Sequence, residues 1–128
     1  MIAKITGGKS IYGVLRYNGL KAEDGKAEIL LQNNMLESPD NHFDLGLCMR
    51  SFAPYLFANR RTEKPVIHIS LNPDPKDRVT DRELSEMAQR YMKEMGYGNQ
   101  PYIAFKHTDI DRQHLHVVSV RVDESGKK

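Results

Sequence analysis

The amino-acid sequence predicts an α+β domain, a mostly antiparallel sheet with helices packed on one face. Three observations carry that expectation. Strand-like and helix-like segments follow one another in the order β-α-β-α-β-α-β-β. The last two strand segments, "PYIAFKH" and "HLHVVSVRV", are separated only by "TDIDRQ", which is hairpin spacing. The helix before them carries both a start and a stop signal: Thr80 with Glu83 three places on forms a capping box, and Gly96 closes the segment.

Each element has its own justification. "MIAKIT" sets Ile2 and Lys4 against Ala3 and Ile5, the alternation of a short opening strand. "GGKS" reads as a turn, with Ser10 placed to cap a helix through "IYGVLRYNGL". "KAEILLQ" suits a strand, although its composition also suits a turn of helix. From Asn41 to about Asn59, Phe43, Leu47, Phe52 and Leu56 predict a helix, which Pro54 should kink or reopen as a first residue. "EKPVIHISL" is β-branched and bounded by Pro65 and "NPDP", and it predicts a strand. Leu84, Met87, Ala88, Tyr91 and Met95 give the capped helix its apolar stripe.

The chain has 128 residues, enough for one compact domain with a modest core. It is 39% hydrophobic and 28% charged, an ordinary globular balance. No apolar run approaches the roughly 20 residues needed to span a bilayer, and the opening residues lack the pattern of a signal peptide. The single cysteine, Cys48, excludes an internal disulfide and a Cys-rich zinc site. A reducing cytoplasm is the expected location. The net charge of +2 is too mild to name a partner, although Lys4, Lys9, Arg16 and Lys21 occur without an acid among residues 1–21. The tail "DESGKK" follows directly on a strand, as expected of an N-terminal fragment of a longer protein.

The segment "HTDIDRQHLHVV" holds three of the five histidines. Strand alternation points His114 and His116 the same way, and hairpin pairing brings His107 alongside. Three imidazoles converging from two strands suit a metal ion with open coordination positions. Asp109 is placed to hold the far nitrogen of one imidazole and fix its tautomer. A structural zinc site would call for thiolates that the chain lacks, so the expected role is catalytic. Tyr12 and Tyr17, on or just after the first helix, are the candidate nucleophiles, and each also suits packing. "GGKS" fails as a phosphate-binding loop because Ala3 stands where its first glycine must be.

"GYGNQPYIAFKHTDIDRQHLHVVSVRV" resembles the third motif of the DNA relaxases that start plasmid and transposon mobilisation, H-x-D-x4-H-x-H followed by apolar alternation. "MIAKITGGKSIYGVLRYN" and "KPVIHISLNPDPKD" are similar to the opening and middle motifs of the mobilisation relaxases of Bacteroides-type elements. The resemblance covers nearly the whole chain. It implies a His-hydrophobic-His endonuclease fold over residues 1–128, continuing past Lys128. It also implies a bacterial enzyme whose tyrosine cleaves one DNA strand at an origin of transfer and stays linked to the 5′ phosphate.

Carried over residue by residue, the metal ligands are His107, His114 and His116, and the nucleophile is Tyr17 at the end of a short helix. Asp109 would orient a histidine or take the phenolic proton. The resemblance implies Mn²⁺ or Mg²⁺, and three imidazoles would also accept Zn²⁺, Ni²⁺ or Co²⁺. Single-stranded DNA would lie over the open sheet face, its phosphates met by Lys4, Arg16 and Lys106. Accessory mobilisation proteins are the other implied partners. Where some relatives have a serine in the middle motif, this chain has Asn72, with Ser70 one strand step away. The rival readings are a rolling-circle replication initiator and a non-catalytic module that binds origin DNA. The initiator would carry its tyrosine on a helix after the histidine motif, and no tyrosine follows Tyr102.

Overall fold

The computed structural model describes residues 2–8, 10–37, 43–58, 64–73, 79–107 and 114–122. Among the described residues eight elements follow one another: β1 (Ile2–Gly8), α1 (Ile11–Glu23), β2 (Ala27–Asn33), α2 (Leu45–Ala58), β3 (Val66–Asn72), α3 (Asp81–Glu94), β4 (Tyr102–His107) and β5 (His114–Val120). The strands form one five-stranded sheet in the order β1-β3-β5-β4-β2. Every neighbouring pair is antiparallel.

The α+β class is as the sequence predicts, but the helices do not share a face. Ile67, Ile69 and Leu71 of β3, Ala104 of β4, and Leu115 and Val117 of β5 pack under Leu84, Ala88 and Met92 of α3. The alternate residues Val66, Ile103, Phe105, Val118 and Val120 pack instead under Ile11 and Leu15 of α1 and Cys48 and Phe52 of α2. The physical reason is visible in the three inner strands. They are apolar on both faces, and a sheet of that kind must be covered on both.

Local chemistry explains most boundaries. Ser10 Oγ accepts from the Gly13 amide at 3.1 Å and starts α1. That helix continues one turn past Leu20 before Gly25 (φ +74°) turns the chain. Gly7 and Gly8, expected in a turn, belong to β1 because they pair opposite Ile67 and Val66. Asp44 caps α2, its Oδ1 accepting from the Leu47 amide at 3.0 Å. Pro54 lies inside α2 without dividing it. It and Arg50 one turn earlier are both exposed, so the carbonyl that loses its partner faces water. The capping box of α3 is formed in both directions between Thr80 and Glu83, and Gly96 (φ +87°) follows the helix end. On that helix Met92 is buried and Met95 is exposed, which shifts the apolar stripe from the expected Met95.

Candidate metal centre

The register of the sheet assembles the histidines. His107 stands opposite His114 across the β4–β5 pair, as the hairpin spacing predicts, and Phe105 stands opposite His116. On the other side of β5, Ser70 of β3 faces His116. Strand alternation therefore turns His107, His114 and His116 to the face covered by α1 and α2. Each offers one ligand nitrogen, and these nitrogens all lie within 4.8 Å of one another. His116 Nε2 is 3.2 Å from His114 Nδ1. With metal–nitrogen bonds near 2.0–2.1 Å, two nitrogens bound to one ion stand roughly 2.8–3.4 Å apart, so this spacing suits a shared ion.

Helix α1 reaches into the cluster through Asn18, which is fully buried. Asn18 Nδ2 donates to the Val14 carbonyl at 3.0 Å, which leaves Oδ1 to face His107 Nε2 at 2.8 Å. An amide oxygen only accepts, so His107 Nε2 donates to it and Nδ1 is the nitrogen left to offer an ion. This is the outer support a metal-binding imidazole needs, and here it comes from the residue beside Tyr17.

A fourth histidine, His68 of β3, completes the group. Its Nε2 is 2.8 Å from His116 Nδ1, and the two rings stack with centroids 4.8 Å apart. Sequence reasoning missed it. The one signal available was a histidine inside an otherwise β-branched strand, and the pairing of β3 with β5 that gives it meaning has no local signature. Burial first, then His107, His68, His114 and Lys21, push His116 down to about 3. Burial likewise holds His68 below its ordinary value. Both rings are therefore neutral near pH 7, the form in which imidazole binds metal. Three imidazoles with converging nitrogens, His116 among them held neutral, fit a divalent ion.

Tyr17 and Tyr12 are both exposed, at 56% and 50%. Tyr17 lies within α1 and not at its end, because the helix runs on to Glu23. It lines a cavity of about 390 Å³ together with Thr6, Gly7, Gly8, Asn18 and His68. Tyr12 is not among the lining residues. Lys21, one turn on, sets its ammonium 5.3 Å from the centre of the Tyr17 ring.

The expected DNA contacts separate. Lys4 pairs opposite Ser70 and so stands on the histidine face, exposed, and Arg16 is exposed on α1. Lys106 pairs opposite Leu115, which places it on the α3 face. There its ammonium is 2.6 Å from Asp81 and 3.7 Å from Glu28. The structure does not bring Lys106 to the cluster. Ser70 and Asn72 share the histidine face, and Asn72 Nδ2 donates to Ser70 Oγ at 3.1 Å. Asp109 lies outside the described residues.

Residues 17–128 match the protein family described as "Relaxase: MobA/VirD2-like, nuclease domain". The chain belongs to the MobA/VirD2-like relaxases. Neither a curated protein nor a solved structure matches it. Membership in this relaxase family makes the chain a DNA nuclease of the relaxase type, and the matched segment runs from Tyr17 through all three clustered histidines. The antiparallel sheet and three helices agree with a relaxase fold. Relaxases depend in general on a metal and act on single-stranded DNA, and the relaxase chain described here has a histidine cluster able to hold an ion. Among the described residues no helix is long and apolar enough to cross a membrane.

Proposed function

We propose that this relaxase domain nicks one DNA strand at an origin of transfer, using Tyr17 as nucleophile, to mobilise a plasmid or transposon. The observation that carries the reading is that Tyr17 and His68 wall one cavity, while His68 touches His116 of the converging histidines. The nucleophile is thus one residue away from the metal-facing imidazoles.

In this reading the Tyr17 phenolic oxygen attacks the phosphorus in line with the bond to the 3′ oxygen. That bond breaks, the 3′ oxygen leaves and is protonated to a hydroxyl, and the 5′ phosphate remains on the tyrosine. Asp109 would orient a histidine or take the phenolic proton. His107, His114 and His116 would hold a divalent ion, Mn²⁺ or Mg²⁺ by family resemblance, which would supply positive charge to the phosphate under attack. Lys4, Arg16 and Lys21 add positive charge for the neighbouring phosphates. Lys21 is the member of that set that sits over the Tyr17 ring. The phosphotyrosine keeps the energy of the broken bond, so rejoining needs no nucleotide cofactor. Gly8 on the cavity wall, paired opposite Val66 on the histidine face, presents backbone without a side chain, which leaves room for a strand to approach closely. Accessory mobilisation proteins would act at the same origin.

The test is to incubate the protein with end-labelled single-stranded oligonucleotides tiling the element that encodes it, with Mn²⁺ or with a chelator. The expected result is a cleaved strand and a protein–DNA adduct that survives denaturing electrophoresis and requires the ion. Cleavage to a free 5′ phosphate with no adduct would show hydrolysis by water and would overturn the tyrosine mechanism.

A further inference from the structure

His116 has a neighbour at each ring nitrogen. Its Nε2 faces His114 Nδ1 at 3.2 Å, and its Nδ1 faces His68 Nε2 at 2.8 Å. A neutral imidazole has one N–H and one lone pair, so the two contacts compete for the same proton. With the proton on Nε2, the lone pair of His116 would point at His68 and away from His114. With the proton on Nδ1, His116 donates to His68, and Nε2 turns its lone pair toward the His114 nitrogen. Only the second arrangement lets both histidines of β5 serve one ion.

We infer that His68 is a positioning residue that accepts the Nδ1 proton of His116 and so commits Nε2 of that ring to the metal. His68 stands outside the group of His107, His114 and His116, whose ligand nitrogens all lie within 4.8 Å of one another, and meets it through His116. Its leverage is through His116 alone. The 2.8 Å contact is short for two ring nitrogens, and the stacked rings, 27° from coplanar, limit how far His116 can turn. The role parallels that of Asn18 toward His107, with an imidazole nitrogen in place of an amide oxygen as acceptor. It gives β3, which supplies no ligand, a function at the site. The inference rests on the metal reading of the cluster.

Three proteins test it: the parent, His68→Phe, which keeps the ring without its nitrogens, and His68→Gln, which restores an acceptor oxygen. A long-range ¹H–¹⁵N spectrum of the metal-free parent near neutral pH reads the tautomer of His116 directly. The expected parent spectrum shows His116 protonated on Nδ1. The Phe variant should lose that preference and bind Mn²⁺ at least about tenfold more weakly by calorimetry, with the Gln variant recovering most of the loss. A parent His116 protonated on Nε2, or a folded Phe variant with affinity within about twofold of the parent, overturns the positioning role and leaves the metal centre standing. A parent that binds no Mn²⁺ overturns the metal centre and the positioning role together. Should the Phe variant fail to fold, the parent spectrum and the Gln variant's affinity decide the question.

Discussion

His116 is buried and crowded enough by the other histidines for its protonation to oppose folding. The unfolded chain takes up a proton at His116 near pH 6.5, while the folded protein does so only at about 3. Between those values the unfolded state binds more protons, so stability falls as pH drops below 6.5 and is insensitive to this group above it. Thermal unfolding of the metal-free protein should show a declining midpoint from about pH 6.5 toward 4, and His116→Gln should flatten that decline. An unchanged slope in the variant would remove His116 as the cause. Metal binding should weaken over the same acid range, because protons and the ion compete for the same lone pairs. Asn18 makes a second prediction. Asn18→Leu removes the buried oxygen that faces His107 Nε2, a lost hydrogen bond that should cost about 1–3 kcal/mol in denaturant unfolding. It should also lower metal affinity. His107, His114 and His116 were legible in the sequence as a set because their spacing is short. His68 was not, since its partner lies 48 residues away across a strand pairing.

At the scale of elements, the sequence was most informative where the signals are local. The capping box of α3 and the hairpin pairing of His107 with His114 both rest on spacings of a few residues, and both are present. Thr80→Ala should cost about 0.5–2 kcal/mol of stability by removing the cap. That helix covers the sheet face opposite the histidines, so metal affinity measured in the same variant should be unchanged. A variant that lost metal with its cap would tie α3 to the site and contradict this division. The less local boundaries were harder to read. Gly7 and Gly8 extend β1 because β3 continues to pair with them, and no feature of "GGKS" announces that partner. Similarly, α2 passes through Pro54 because the lost hydrogen bond falls on a wetted side, which depends on how the helix is seated.

The described residues form three layers, with α1 and α2 on one side of the sheet and α3 on the other. The burial of both faces was latent in "VIHISL", "YIAFKH" and "HLHVVSV", whose near-continuous apolar character differs from a sheet with one wet side. The consequence for function is a division of the basic residues by face. Lys4 and Lys21 belong with the histidines, and Lys106 is held by Asp81 on the far side. Lys106→Met should therefore leave affinity for single-stranded DNA and its salt dependence unchanged. Lys4→Met and Lys21→Met should each weaken binding and reduce the salt slope by about 0.7. Fluorescence anisotropy across a salt series distinguishes the outcomes, and a loss confined to Lys106→Met would place the DNA on the wrong face.

The central proposal is that the hydroxyl of Tyr17, which shares a cavity with His68, is the group that cleaves DNA. Tyr17→Phe removes that oxygen and keeps the ring under Lys21, whereas Tyr12→Phe makes the same change at an exposed ring that does not line the cavity. Denaturing electrophoresis of both variants with labelled origin DNA and Mn²⁺ is the most direct measurement. The account predicts that Tyr17→Phe binds metal and DNA as the parent does but forms neither nick nor covalent adduct, while Tyr12→Phe retains both. An adduct that persists in Tyr17→Phe and disappears in Tyr12→Phe would contradict it.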